Sequence, residues 1–521
     1  MKTWLSLAAS TVIALTVVGC NGEDGAAGTN GADGINGTNG TNGTNSNISL
    51  AALRADFGKK WEDKLYIESE KYFGFDGAKK EGYSTNVSRK DADEASDAIL
   101  LADGLTASFL TREAANKADL FNFYPTANPT HIFSCIEGGS EEINSTTAKR
   151  NPSVQSWDLE TGEVKTVLRG MERCDGLRAT PWGTLVATEE TNDGALYEII
   201  DPLNVENHQI IDRANGTVVD GVGSSTPSTK IIKRQVMAEM AWEGLTVLES
   251  GIIIGGDELR PGTAVDDADG GAIFKFVPST PRTATGNITD LSESPLVSGT
   301  NYAMQVSCKD SKQQFGQGCE VGNATWIEVN AATARADADA NGATGYYRPE
   351  DLHRDTTFVG EDADDMKFCW TNTGNEGASH FGEIMCAVDS EPLEVGNGVL
   401  TTVVNRFIEG NEEFTSVDSL DIHPVTGDIY GIEDHKNGDI WACLKDGADK
   451  DIKSDGCVRL LSVKDQSAEP TGFIFSPDGS KAYLSIQHSS DTDVTLHDGG
   501  NLVDDYATDD IIVIDGFDFI K

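Results

Sequence analysis

The sequence predicts an all-β chain, a six-bladed β-propeller with a short helical lead-in at its N-terminus, and three observations predict it. From Ala98 onward helical periodicity is scarce. Short β-rich runs bounded by Gly, Asp, Asn and Pro replace it, among them THIFSCIEGG, YAMQVSC, LTTVVNRF and DIIVID. These runs group into hairpin pairs at 131–158, 174–200, 242–277, 350–388, 418–443 and 469–516. A unit of three or four antiparallel strands cannot bury both its faces alone, so such units stack radially as blades around a channel. The third observation is a repeated grammar. CDGLRATPWGTLVATEETNDGALYE at 174–198 runs acid-Gly start, strand, turn, strand ending in acids, Gly, third strand, and the pattern returns at 242–276 and 417–441. Counted from the turn glycine, Gly183 leads to Glu189, Gly251 to Asp257 and Gly427 to Glu433, six residues each time. A β-sandwich would supply as many strands, but not acids recurring at one point of each hairpin.

Taken in order, the chain opens with Lys2 and an apolar run from Trp4 to Val18 that ends Val18-Gly19-Cys20. That run is too short to span a membrane as a mature helix, and its small residue before a cysteine resembles a lipoprotein cleavage site. Residues 1–20 are expected to be a signal peptide and Cys20 the lipidated residue. The protein would then be exported and lipid-anchored to the bacterial envelope, touching the membrane only through that anchor. Glycines follow at every third place from Gly22 to Gly43 with no proline among them. Collagen helices need that glycine period but also lean on proline, so residues 21–49 are expected to be a flexible stalk, with a trimeric collagen-like stem the lesser reading. Residues 50–97 form the lead-in, with the apolar spacing of one or two short helices up to about residue 72. Residues 98–521 form the propeller.

Eighty-five acids against 40 basic residues give a net charge of −45. Nucleic acid and anionic membrane surfaces are poor partners for such a chain, whereas divalent cations are attracted to it. With Cys20 set aside, eight of the nine cysteines remain, and an exported chain favours disulfides. Proximity suggests Cys135/Cys174, Cys308/Cys319, Cys369/Cys386 and Cys443/Cys457, among 105 connectivities.

The acid starts (Asp175, Glu243, Glu350, Asp418, Glu469) open one strand of their hairpins, and the acid ends (Glu189/Glu190, Asp257/Glu258, Glu433/Asp434) close the next. In an antiparallel hairpin the start of one strand lies beside the end of its partner, so both sets meet at one end of the blade. Carboxylates so crowded raise each other's pKa, and hard cations are the natural compensation, since calcium takes six to eight oxygens. The hairpins after Glu350 and Glu469 return to neutral residues instead, Trp370-Thr371-Asn372 and Gln487-His488. With Arg348 and Lys275, these leave room for an anionic substrate. The bland reading is that the acids cap exposed turns separately.

Several segments resemble the PhoX family of bacterial alkaline phosphatases: TPWGT with its trailing Glu189-Glu190, Trp242-Glu243-Gly244, GGDE at 255–258, KFVP at 275–278, Arg348-Pro349-Glu350, and EPTGFIFSPDG followed by Ile486-Gln487-His488. The resemblance runs from about Ala98 to the C-terminus. It implies a six-bladed propeller holding an iron–calcium cluster that hydrolyses phosphate monoesters; small phosphorylated substrates and a monomeric chain are expected. On this resemblance Glu190, Glu243 and Glu350 are cluster ligands, Arg348 holds the phosphate, and Cys174 is the candidate ligand for iron. Two departures stand against full transfer. Cys174 lies six residues before Thr180, as in relatives that do not need that cysteine, and it can equally pair with Cys135; the leader has no arginine pair. The full candidate metal set is Cys174, Glu189, Glu190, Glu243, Asp257, Glu350, Glu433, Asp434 and Glu469. The reading of a different class is a non-catalytic propeller lipoprotein, braced by calcium and serving as a surface binding module.

Overall fold

In the computed structural model, which describes residues 64–77, 89–90, 92–262, 269–306, 320–361, 365–444, 456–487 and 509–517, the β-rich runs pair as antiparallel meanders. Their inner strands are Ala118–Tyr124, Cys174–Ala179, Trp242–Val247, Pro349–Arg354, Val417–Ile422 and Glu469–Phe475. Each inner strand packs beside the next in this order, and the sixth packs beside the first, so the ring closes around a channel. Each is followed by a partner strand, through a tight turn in the second, third, fifth and sixth meanders. Four of these turns carry glycine at φ between 72° and 94°, at Gly183, Gly251, Gly427 and Gly479. Only glycine adopts that backbone region without cost, which is why the turn glycine recurs in the sequence.

Second and third strands of the meanders are buried on both faces, Thr184–Glu189 and Leu196–Ile200 at every residue. They therefore read as continuous apolar runs rather than alternating ones. The core divides into six apolar clusters, each filling the gap between two neighbouring meanders. Phe121 and Trp157 meet Ile474 and Tyr483 between the sixth and first, for example, and Ile384 and Phe407 meet Leu420 and Trp441 between the fourth and fifth. No meander is stable alone, because half of each apolar gap belongs to its neighbour.

Two features differ from the expectation. The first meander begins at Ala118–Tyr124 rather than at residue 131, because ADLFNFY is nearly all buried and has no acid-Gly start to mark it. The β-rich stretch that opens the propeller at Ala98 divides: Ile99–Leu101 pairs with Cys457–Val463, and Thr106–Ala114 pairs with Asp509–Asp515, so an N-terminal strand completes the last meander. Arg89 and Arg112 each donate to Asp510 Oδ1 at 2.9 Å and hold that closure. The third and fourth meanders join through Gly322–Val329 into one nine-stranded sheet. Ser69–Phe73 and Ala95–Ala98 are helical, in keeping with the lead-in.

Cys135–Cys174 joins the first two meanders, while Cys369–Cys386 and Cys443–Cys457 each cross directly paired strands. Cys308 and Cys319, the leader with Cys20, and the stalk lie outside the described residues.

Candidate metal centre and anion site

The second residue of five consecutive inner strands is an acid: Asp119, Asp175, Glu243, Glu350 and Asp418. In the sixth, Glu469 comes first and Pro470 second. The residue directly after each returning strand faces this set, as Glu137, Glu190, Glu258, Thr373 and Asp434, with Gln487 ending the sixth. The ladder between each inner strand and its partner is interrupted by a register shift. Such bulges re-aim side chains that a regular pleat would send to alternate faces. The result is a cavity of about 620 Å³ at one mouth of the channel, with nine acids among its fourteen lining residues.

Ligand oxygens of Asp119, Glu137 and Asp175 lie within 4.8 Å of one another, and so do those of Asp175, Glu190 and Glu243. Asp175 is shared by both groups. Thr471 and Gln487 orient Asp119, through Oγ1 to Oδ1 at 2.5 Å and Nε2 to Oδ2 at 2.9 Å, and Gln487 also donates to Glu137 at 3.0 Å. Burial is the largest cause that raises the carboxyl pKa values here, and neighbouring carboxylates add to it. Asp119, Asp175, Glu243 and Asp418 stand well above the usual range, Glu190 is pushed up to about 10 and Glu350 to about 8. The donor set is all oxygen, and the buried Oδ1 of Asp175 has no hydrogen-bond partner. Both facts fit a hard cation, which would satisfy that oxygen and offset the repulsion.

Two arginines stand at the rim, each immediately before an inner strand and each in the left-handed region, Arg173 at φ 52° and Arg348 at φ 59°. Arg348 Nε meets Glu258 Oε1 at 2.6 Å, Nη2 meets Glu350 Oε1 at 3.1 Å, and Nη1 lies 3.8 Å from Asp434 Oδ2. Arg173 Nη2 contacts Glu190 at 2.5 Å and its side chain is half exposed. Further along the inner strands, His353 bridges Asp351 at 3.0 Å and Asp421 at 3.2 Å, and Arg178 reaches Asp351 at 3.1 Å. This network of the second, fourth and fifth meanders forms a polar floor beneath the acids.

A family model described as alkaline phosphatase PhoX matches residues 160–490, more than half of the chain. The chain belongs to the PhoX family. No curated protein matches it. Among solved structures it is similar to Pseudomonas fluorescens PhoX in complex with vanadate, a transition state analogue, at 14% identity and TM-score 0.46, covering 83% of this chain and 98% of that one. A putative gluconolactonase aligns at 10% identity and TM-score 0.37, covering 82% and 97% of the two chains. The PQQ-bound aldose sugar dehydrogenase of Streptomyces coelicolor aligns at 9% and 0.33, covering 79% and 98%. At these TM-scores the structural likenesses carry no weight for the site.

Of the residues matched to PhoX motifs, Glu190, Glu243, Glu350 and Arg348 all line the mouth, as do Asp434 and Glu469. Cys174 does not serve as a thiolate ligand, because its sulfur is bonded to Cys135. Three acids at the fixed six-residue offset are also corrected. Glu189 accepts the amides of Glu172 and Ala195 and pairs with Arg213 at 2.8 Å. Asp257 accepts the Ala241 amide and takes Arg335 in a fork at 2.5 and 2.7 Å. Glu433 accepts the amides of Thr415 and Asp439 and the Trp441 indole N–H. Strand alternation turns these three into the blade, where they tie the hairpin to the chain entering it, and the next residue faces the channel. Lys275 likewise sits inside a blade, on Asp389 at 2.5 Å and 4.3 Å from the Trp326 ring centroid. Asn372 bonds Glu383, and its successor Thr373 is the residue that bonds Glu350. His488 lies outside the described residues. Sequence reasoning missed Asp119, Glu137 and Arg173. The available signals were Glu137 ending the CIEGG strand as Glu190 ends its own, and an arginine directly before the strand at both 173 and 348.

Proposed function

We propose that the chain is an exported, metal-dependent phosphatase that hydrolyses phosphate monoesters at the channel mouth. The observation that carries this reading is the convergence of acids from all six inner strands beside two rim arginines, in a PhoX family member. Asp119, Glu137, Asp175, Glu190 and Glu243 would hold the cations, with Glu350, Asp418, Asp434 and Glu469 completing the ring. Calcium is the ion this oxygen set suits. Iron, if held, rests on carboxylates rather than on the Cys174 thiolate. The bound cations would supply Lewis-acid polarisation of the phosphoryl oxygens.

The chain's own groups do the rest. The Arg348 guanidinium is a flat fork of fixed charge, suited to two phosphoryl oxygens, and Pro349 limits the backbone beside it. Arg173, held by one carboxylate and half exposed, offers a second cation at the rim. Thr373 and Thr471 fix the orientation of Glu350 and Asp119, so little reorganisation is left for the reaction. Export behind a signal peptide and anchoring through Cys20 belong to the same proposal.

The Cys135–Cys174 disulfide favours a second reading, a calcium-braced propeller that binds without catalysis. Elemental analysis together with a phosphate-monoester assay on protein from the native envelope separates the two. Retained calcium with hydrolysis supports the phosphatase; retained calcium without hydrolysis moves the assignment to the binding module.

A further inference from the structure

A second cavity, of about 660 Å³, adjoins the mouth and shares Arg348 with it. Its chemistry is the reverse of the first. Nine of fourteen residues around the mouth are acids, but only Glu376 among the nine lining the groove. That acid is already answered: its Oε1 lies 2.7 Å from His435 Nε2 and accepts the hydroxyls of Thr415 at 2.7 Å and Ser416 at 3.2 Å. The groove also holds Arg260, which is exposed and makes no ion pair or hydrogen bond among the described residues. In a chain of net charge −45 an arginine left unanswered beside a cavity is a notable arrangement, since carboxylates are plentiful nearby. Its backbone is tied to the site, because the Leu259 carbonyl accepts the Arg348 amide at 3.2 Å and the Gly271 amide at 3.1 Å.

We propose that this groove receives the alcohol part of the ester, and that Arg260 selects alcohols carrying a second anionic group, a carboxylate or a further phosphate. The inference rests on the phosphatase reading and deepens it. A phosphoryl group at Arg348 has the cation-binding ring on one side and the groove on the other. The leaving alcohol must lie away from the acids, and the groove is the adjoining space whose net charge tolerates an anion. Arg260 acts on binding of the remote group and touches no reacting atom, so its effect belongs in KM rather than kcat.

The test uses the metal-loaded full chain and a matched pair of esters, phenyl phosphate and 4-carboxyphenyl phosphate. Arg260→Ala is expected to lower the ratio of kcat/KM for the carboxylated over the plain ester by about tenfold, chiefly through KM, the scale of one charge-assisted contact. Arg260→Lys should restore part of that ratio. An unchanged ratio overturns the proposal. Calorimetry with 4-carboxyphenylphosphonate, which is not hydrolysed, gives a second reading: binding about tenfold weaker in Arg260→Ala supports the subsite. Equal binding to both proteins, or none to the unsubstituted chain, overturns it. If the unsubstituted chain hydrolyses neither ester, the phosphatase assignment fails while the calorimetric arm still decides whether the groove takes an anion.

Discussion

Asp257 and Glu258 are chain neighbours with opposite duties. Asp257 is fully buried and holds Arg335 in a fork, so Asp257→Ala should cost about 3–5 kcal/mol in denaturant unfolding, the scale for stranding one partner of a buried pair. Glu243 behaves differently, since its neighbours are other acids and burial raises its pKa. Glu243→Gln should raise the melting temperature of chelator-treated protein by relieving repulsion, and shrink the increase that added calcium produces. A fall in the chelated variant would remove the ring from the account. Arg348→Ala should keep the fold and its metal content by elemental analysis, yet lose turnover by about 10²–10³-fold, the usual scale for one transition-state donor. Loss of metal alongside turnover would instead make Arg348 a counter-charge for Glu258, Glu350 and Asp434.

At the scale of the strand pair, alternation and bulge together decide which acid faces where. A regular ladder sends successive residues to opposite faces, and in the second, third and fifth meanders the last residue of the returning strand faces the blade while its successor faces the mouth. Away from the mouth, Arg406 sits between Glu383 and Glu320, with 3.1 Å from its Nη2 to Glu320 Oε2. Burial, then Glu383, lifts the Glu320 carboxyl from 4.5 to about 7 against the pull of Arg406. The folded chain therefore keeps a proton there that the unfolded chain releases near 4.5. That contribution to stability is full below the unfolded value and is lost as the pH rises through about 7. Urea midpoints at acid and alkaline pH should fall less between the two for Glu320→Gln than for the unsubstituted chain; parallel falls would assign the dependence elsewhere.

Over the whole molecule, six meanders share six apolar gaps, and the strand Thr106–Ala114 closes the ring against the C-terminal strand. The ring of acids works against this closure, because like charges from all six meanders meet at one mouth. A cation that binds only the folded state adds its binding free energy to stability, about 2.7 kcal/mol at a hundredfold excess over Kd. Chelation is therefore expected to lower the melting temperature, with recovery on returning calcium after the chelator is removed. A melting temperature indifferent to prolonged chelation would exclude a bound cation from the ring.

Period, turn chemistry and repetition are local properties, so the sequence by itself determined the all-β class, the repeated hairpin, the turn glycines and the two short-range cysteine pairs Cys369/Cys386 and Cys443/Cys457. It also determined that acids gather at one end of the hairpins, and PhoX-like motifs singled out Glu190, Glu243, Glu350 and Arg348. Only the tertiary structure decided which acid of each pair faces the channel. That choice turns on one residue of register, and the fixed offset from the turn glycine belongs to the structural carboxylates Glu189, Asp257 and Glu433. The pairing of Cys174 with Cys135 rather than with a metal was equally a matter of tertiary structure, because it depends on the first two meanders lying side by side. Asp119 joined the site for the same reason: its strand has no distinguishing pattern of its own, and packing of the first inner strand beside the second places it next to Asp175.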